Sequence, residues 1–160
     1  MKNLLFFFVF MAGITFTACN TPPKLLTDSD KNAIEKQILD QWKKAGAMVE
    51  KADAEGYLSA FSSNEFLGMS SAGKQFVSMT EYSDSVKVWF STRNSSEIQN
   101  ASVKVTVLTE NLALLDQASV FKVNFKDNQV MRTSHVVSFI FKKEGLAWRI
   151  IHGHESWRSL

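Results

Sequence analysis

The chain is poor in the residues that usually cross-link or interrupt a fold. Its 160 residues include a single cysteine, Cys19, and two prolines, Pro22 and Pro23. One cysteine cannot form a disulfide within the chain. Lysine and arginine number 18 against 16 aspartates and glutamates, and no block of basic residues occurs. The sequence therefore predicts no nucleic-acid partner, because nucleic-acid-binding domains concentrate basic residues on one surface.

The N-terminus carries an apolar run, Leu4–Ile14, which follows Lys2. The run is too short to span a bilayer, and small residues directly precede Cys19. Residues 1–18 thus resemble a bacterial lipoprotein signal peptide, which would be cut before Cys19 and leave that residue to be acylated. An uncleaved anchor, or an ordinary secretory signal with a chance cysteine, is the alternative interpretation.

The lipoprotein resemblance implies a location and a domain plan. Acylation of Cys19 would anchor the protein stably to a membrane of the bacterial cell envelope, on its periplasmic or outer side. No free thiol would remain, which excludes thiolate metal sites and cysteine nucleophiles. Residues 19–29 contain both prolines and are predicted to form an extended, lipidated tether. Residues 30–160 have the length of one domain.

Three stretches with helical patterns follow the tether. The segment 27–30, Thr-Asp-Ser-Asp, favours a helix start because its first side chain can cap backbone amides. Asp53 is expected to cap a shorter helix, and Ser78 a third, because Glu81 follows Ser78 at capping-box spacing. Residues 93–96 are expected to end that third helix. On the first helix the apolar residues share one face: Ile34, Ile38, Trp42, Ala45 and Val49.

From Glu97 onward, alternation of apolar and polar residues predicts four long strands joined by tight turns. Two shorter strands, at 65–69 and 74–77, precede the third helix, and Gly73 in the turn between them can adopt a positive φ. Helices that mostly precede strands indicate the α+β class. We therefore expect a strongly curved antiparallel sheet wrapped around three N-terminal helices.

The last predicted strand carries the clearest candidates for chemistry. Its residues 148–156 read Trp-Arg-Ile-Ile-His-Gly-His-Glu-Ser. Alternation places Arg149 and Glu155 on one face, and Gly153 leaves room for a partner behind the sheet. The opposite face begins as core and continues with imidazoles and a hydroxyl: Trp148, Ile150, His152, His154 and Ser156.

His135 adds a third imidazole on the preceding strand. A hairpin turn at 143–145 would place His135 opposite Gly153 or His154. Three histidines are an adequate ligand set for zinc, but no cysteine or acid supports that site, so neither a metal nor a cofactor is predicted. His154 and His135 are candidates for general acid–base catalysis because imidazole titrates near neutral pH. Polar lining of a pocket, without catalysis, is the alternative.

A final strand of the form Trp-x-Ile-x-His-x-His-x-Ser, after three helices and a run of strands, resembles the nuclear transport factor 2-like superfamily. The similarity is to its SnoaL-like polyketide cyclase type and to the association domain of calcium/calmodulin-dependent kinases. It covers roughly residues 30–157. It implies a cone-shaped roll with a deep, largely apolar pocket, and a homodimer formed through the outer sheet face. Fold alone does not give an activity, because members include isomerases, dehydratases, cyclases and non-catalytic domains.

The resemblance suggests three functions for this chain. The first is a membrane-anchored domain that binds a small apolar or amphipathic ligand. The second is an isomerase, dehydratase or hydrolase that uses pocket histidines, and the third is a non-catalytic accessory domain. The isomerases of the family use a carboxylate base, but none can be assigned among Asp116, Glu155 and Glu65. The expected pocket residues are Trp42, Tyr57, Phe61, Trp89, His135, His152, His154 and Ser156.

Overall fold

The computed structural model describes residues 25–160, so the predicted signal peptide and Cys19 lie outside the described residues. None of the helices in this part of the chain is both long and apolar enough to cross a bilayer. The elements are, in chain order, α1 (Asp28–Glu50), α2 (Ala54–Leu58), β1 (Gly68–Ser71), β2 (Lys74–Phe76), α3 (Met79–Ser91), β3 (Arg93–Thr109), β4 (Leu112–Phe125), β5 (Val130–Glu144) and β6 (Ala147–Ser159). This is the predicted α+β arrangement.

Each of these helices begins at a side chain that satisfies free backbone amides. Thr27 and Asp30 form a capping box at α1, in which the Thr27 Oγ1 accepts from the Asp30 amide at 3.1 Å. Asp53 caps α2 by accepting from the Gly56 amide at 2.9 Å. Ser78 caps α3 in the same way. The three predicted helix starts are therefore confirmed, because oxygen-bearing residues at these positions replace the missing intrahelical acceptors.

The end of α3 differs from the prediction. Residues 93–96, expected to form a loop, instead start β3, and Arg93 pairs with Phe125 of β4. A polar run of arginine, asparagine and serines favours a loop on sequence grounds. Tertiary contacts override that preference, because residues 93–96 pair with residues 123–125 of β4, which lie far along the chain.

The strands form one curved sheet in the order β2-β1-β6-β5-β4-β3. Neighbouring strands are antiparallel except β1 and β6, which run parallel. The sheet keeps two free edges, at β2 and β3, and does not close into a barrel. Its inner face packs against the apolar stripe of α1, so the core lies between the sheet and the helices. Fully buried residues of this core include Ile38, Leu115, Val137, Phe139, Phe141 and Ile150.

One irregularity in β6 decides which of its side chains face the core. Phe141 pairs with Ile150 and Ile140 pairs with His152, so Ile151 has no partner on β5. An extra residue of this kind is a β-bulge, and it reverses the in-out alternation of every residue that follows. Trp148 and Ile150 are buried as predicted, whereas His152, His154 and Ser156 are exposed. The prediction that these five residues share one face is wrong for the last three.

The bulge also reverses the predicted roles of Gly153 and Glu155. Gly153 is buried and faces inward, where it lies against Phe139 and Met69, so it does not open space behind the sheet. Glu155, two residues further along, faces the same side. The inner face of the C-terminal half of β6 is therefore formed by Gly153, Glu155 and Trp157.

The predicted hairpin register between β5 and β6 is also wrong. The turn contains Gly145 and Leu146, with Gly145 at a φ of 61°, and Glu144 pairs with Ala147. His135 consequently lies opposite Trp157, further along β6 than Gly153 or His154. The turn lies closer to the C-terminus than expected because Gly145 adopts the left-handed conformation that a tight two-residue turn requires.

Candidate functional site

A cavity of about 720 Å³ opens between the helices and the inner face of the sheet. This volume is within the range of sites that hold small organic molecules. Its wall receives residues from every helix and every strand. Aromatic rings make up much of that wall: Trp42, Tyr57, Phe76, Tyr82, Trp89, Phe90, Phe121 and Trp157.

The structure places four of the expected pocket residues on the cavity wall: Trp42, Tyr57, Trp89 and His135. His154 and Ser156 border the cavity, but their side chains are exposed and point to the other side of the sheet. The remaining two lie elsewhere. Phe61 is buried in the core with its ring edge-on to Phe139, and His152 is exposed outside the cavity.

The cavity contains one carboxylate in a nearly apolar environment, that of Glu155. Its Oε2 accepts a hydrogen bond from the Ser71 hydroxyl at 2.8 Å, and the Tyr57 hydroxyl lies 3.5 Å from its Oε1. Burial raises the pKa of Glu155 to about 7, against the lowering effects of these two hydroxyls and of the Arg93 charge. Both protonation states are therefore populated at neutral pH, as a group that accepts and returns protons requires.

Two tyrosine hydroxyls extend this site. The hydroxyls of Tyr57 and Tyr82 lie 3.2 Å apart. Burial, together with the nearby Glu155 charge, raises the pKa of both phenols well above 10. Both hydroxyls therefore stay protonated at neutral pH. Because Tyr82 can donate to Tyr57, Tyr57 is free to donate to Glu155 or to a ligand oxygen in the cavity.

A buried cation lies behind the aromatic wall. The Arg93 guanidinium carbon is 3.5 Å from the Trp89 ring centroid and 3.8 Å from that of Phe90. Its Nη1 donates to the Ser96 hydroxyl at 2.9 Å, while Nε and Nη2 have no hydrogen-bond partner among the described residues. Burial lowers the pKa of Arg93 to about 10, so it is charged at neutral pH. The two rings partly compensate this charge by cation–π attraction, and the charge favours ionised Glu155.

The three histidines do not meet. His135 is buried on the inner face, where its ring stacks on Trp157 with centroids 3.8 Å apart. His152 and His154 lie on the outer face. Within residues 25–160 no group of three or more histidines, cysteines or acidic residues could hold a metal ion. The zinc alternative thus lacks the convergence on which it depended, and the catalytic roles suggested for His135 and His154 stay predictions.

Alternation predicted the wrong face for Glu155, although the sequence contains a sign of the bulge. Trp148 and Trp157 are nine residues apart, an odd number. In a regular strand they would lie on opposite faces. Trp157 instead contacts inward-facing rings, those of Phe121 and His135. Two aromatic residues at odd spacing, with adjacent isoleucines between them, indicate an inserted residue and hence an inward-facing Glu155.

Comparison with known proteins agrees with this architecture. A family model described as a SnoaL-like domain matches residues 36–158. Among solved structures, a hexachlorocyclohexane dehydrochlorinase (LinA) of type 2 superposes with a TM-score of 0.68 at 12% identity, covering 84% of this chain and 93% of that one. No curated protein matches the sequence.

Two further structures show the same likeness. A candidate scytalone dehydratase from Novosphingobium aromaticivorans gives a TM-score of 0.72 at 8% identity, with 84% of this chain and 89% of that one covered. A nuclear transport factor 2-like superfamily protein from Salmonella enterica gives 0.70 at 17% identity, with 79% and 92% covered. At these identities the likeness concerns the fold.

Proposed function

We propose that this chain, which belongs to the family of SnoaL-like domains, binds an uncharged amphipathic molecule in its cavity and transfers a proton to and from one of its carbon atoms. Glu155 is the proton acceptor in this proposal. The observation that carries it is a carboxyl group with a pKa of about 7 inside a largely apolar cavity. A base whose pKa lies near the working pH is well suited to proton abstraction.

The neighbouring hydroxyls supply the complementary part of the reaction. The ligand carbonyl oxygen accepts a hydrogen bond from the Tyr57 hydroxyl, and Glu155 removes a proton from the adjacent carbon. The electron pair of that C–H bond moves to the carbonyl oxygen, and the hydrogen bond from Tyr57 stabilises the enolate that forms. Tyr82 in turn donates to Tyr57, at a hydroxyl separation of 3.2 Å.

The same intermediate allows two outcomes. Return of the proton to a different carbon gives isomerisation, and departure of hydroxide or halide from the next carbon gives elimination. The names of two structural relatives, a dehydrochlorinase and a candidate dehydratase, favour elimination. A purely accessory role is less well supported, because a pocket filled by its own side chains would not leave a cavity of about 720 Å³.

The location and assembly of the protein are part of the proposal. The N-terminal pattern ending at Cys19 supports a lipid-anchored protein of the bacterial cell envelope. The outer face of the sheet supports a homodimer, since it includes apolar residues such as Val136, which is 45% exposed. Mass spectrometry of the purified protein tests the first point, because acylated Cys19 would be its N-terminal residue. Light scattering tests the second.

Proton transfer can be tested without the natural substrate. 2-Tetralone is an uncharged bicyclic ketone with an acidic C–H bond beside its carbonyl, and ¹H NMR in D₂O reports exchange at that carbon. We expect saturable exchange whose rate rises with pH and reaches half of its maximum near pH 7. The sign follows because only ionised Glu155 accepts a proton, and its pKa is about 7.

A matched control comes from the turn between β3 and β4. Glu110 is exposed there, and Glu110→Gln is expected to keep the rate and pH profile of the wild type. Saturable binding of 2-tetralone without exchange would support the ligand binding and contradict the proton transfer. Exchange that does not change between pH 5 and pH 8 would contradict a role for Glu155.

A further inference from the structure

Two polar side chains on the cavity wall have no use in the chemistry described above. The His135 Nε2 and the Thr133 Oγ1 are buried and have no hydrogen-bond partner among the described residues. His135 is 8% exposed and Thr133 is 3% exposed. In contrast, the amide of Gln117 on the same wall accepts from Trp42 at 2.7 Å and donates to Ser119 at 3.2 Å.

Buried polar atoms without partners are rare in native proteins, and each requires an explanation. His135 and Thr133 are two residues apart on β5, so both side chains project from the inner face. The imidazole is held in place, because it stacks on Trp157 at 3.8 Å with an angle of 21° between the rings. The two side chains are therefore neighbours on the same wall, about 7 Å apart along the strand.

The chemistry of the pair indicates what it binds. Burial lowers the pKa of His135 to about 4, so the ring is uncharged at neutral pH. A neutral imidazole has one donor nitrogen and one acceptor nitrogen, and a threonine hydroxyl both donates and accepts. A ligand hydroxyl complements either partner, since it can donate to an acceptor nitrogen and can accept from, or donate to, the threonine hydroxyl. A carboxylate or phosphate can accept from either partner, but it would place a second negative charge in the cavity that holds Glu155, and burying that charge is costly.

We propose that His135 and Thr133 form a subsite for a hydroxyl group of the ligand. The inference rests on the proposed function for the position of the reacting end. Glu155 lies opposite Val137 of β5, and His135 and Thr133 lie two and four residues before Val137 on that strand. At a rise of about 3.4 Å per residue, this separation is about 7 to 14 Å. The cavity therefore selects uncharged molecules with a carbonyl at one end and a hydroxyl at the other.

Calorimetric binding of two probes tests this subsite. 6-Hydroxy-2-tetralone carries a hydroxyl at the end opposite its carbonyl, and 2-tetralone lacks it. Thr133→Val is expected to weaken binding of the hydroxylated probe about five- to tenfold, and of 2-tetralone less than twofold. His135→Phe, which keeps the stacking on Trp157, is expected to act in the same way. Thr106→Val makes the same substitution outside the cavity wall and should change neither affinity.

Thermal unfolding separates a ligand site from a structural role. If the two atoms serve a ligand, both variants without ligand are expected to melt a few degrees above the wild type, because a buried unsatisfied group is removed. Lower melting of both variants, with unchanged probe affinities, would show that the pair holds only a structural water. That result would overturn the inference, as would equal weakening of both probes.

Two further outcomes separate this inference from the proposed function. Selective loss of the hydroxylated probe in Thr133→Val, together with no proton exchange by the wild type, would support the subsite and contradict the proton transfer. Proton exchange by the wild type, with no binding advantage for the hydroxylated probe, would support the proton transfer and contradict the subsite. Absence of saturable binding of 6-hydroxy-2-tetralone would also overturn the subsite.

Discussion

Glu155→Gln is expected to lower the rate of 2-tetralone exchange at pH 8 by about a thousandfold, because a positioned general base contributes roughly 10²–10⁴-fold. Glutamine has nearly the same shape and can still accept from the Ser71 hydroxyl, which lies 2.8 Å from the carboxylate. The amide cannot take up a proton, so only the chemical step is removed. Probe affinity, measured by calorimetry, should stay within about threefold of the wild type.

The same substitution is expected to stabilise the protein, in a pH-dependent way. The folded pKa of Glu155 is about 7 against 4.5 for a free glutamate. Glu155 therefore stays protonated to a higher pH in the native state than in the unfolded chain. The free energy of unfolding consequently falls as the pH rises from 4.5 to 7. Above pH 7 this cost is about 3 kcal/mol. Glu155→Gln should thus raise the free energy of unfolding at pH 8 by up to about that amount, and hardly change it at pH 4.

Two features allow the differences between the wild type and Glu155→Gln to be assigned to residue 155. His135 also titrates differently in the folded state, since its pKa falls from 6.5 to about 4, but its contribution is common to both proteins and cancels in the difference. Asp116→Asn provides the matched control: Asp116 pairs with Ser138 at 2.6 Å and lies on the outer face. It should leave exchange unchanged. Exchange by Glu155→Gln within tenfold of the wild type would show that the base lies elsewhere.

Much of the fold could be predicted because its helices and strands are regular. The stripe from Ile34 to Ala45 is buried along α1, and side-chain caps start each helix where the sequence placed them. These features depend on local periodicity and local hydrogen bonds, which a single sequence contains. The start of β3 was missed because residues 93–96 are held in the sheet by pairing with residues 123–125 of β4, which is a long-range effect.

The candidate site was predicted less well because it depends on one inserted residue. Alternation is a local rule, and it fails after Ile151 because backbone pairing changes there on both sides of β6. The Ile151 carbonyl accepts from the Leu67 amide at 2.7 Å, while Ile150 bonds to residues 60 and 62. These contacts are distant in sequence, so strict alternation could not locate the inserted residue, although the odd spacing of Trp148 and Trp157 was a sign of it. As a consequence, His152 and His154 lie on the outer face and Glu155 lies on the inner face, which is the reverse of the prediction.

Gly153→Ala is expected to lower the free energy of unfolding by about 2–3 kcal/mol, and Gly153→Val by more. A Cβ at this position would approach the Phe139 ring and would lie 2.7 Å from the Met69 sulfur. Phe139 is fully buried and Met69 is 1% exposed, so neither side chain can move into free space. Urea denaturation, with coincident fluorescence and circular dichroism transitions, measures the change.

Gly46→Ala is a suitable control, because the nearest atom to an added Cβ is the Ile98 Cδ1 at 3.6 Å. Alanine within a helix is favoured over glycine by about 1 kcal/mol, so this variant should be neutral or more stable. The double variant Gly153→Ala with Phe139→Leu should recover part of the loss if the Phe139 ring is the obstacle. Gly153 and Glu155 lie on the same side of β6, after the bulge. A Gly153→Ala protein as stable as the wild type would therefore contradict the inward orientation of both residues, and with it the position of the carboxylate in the cavity.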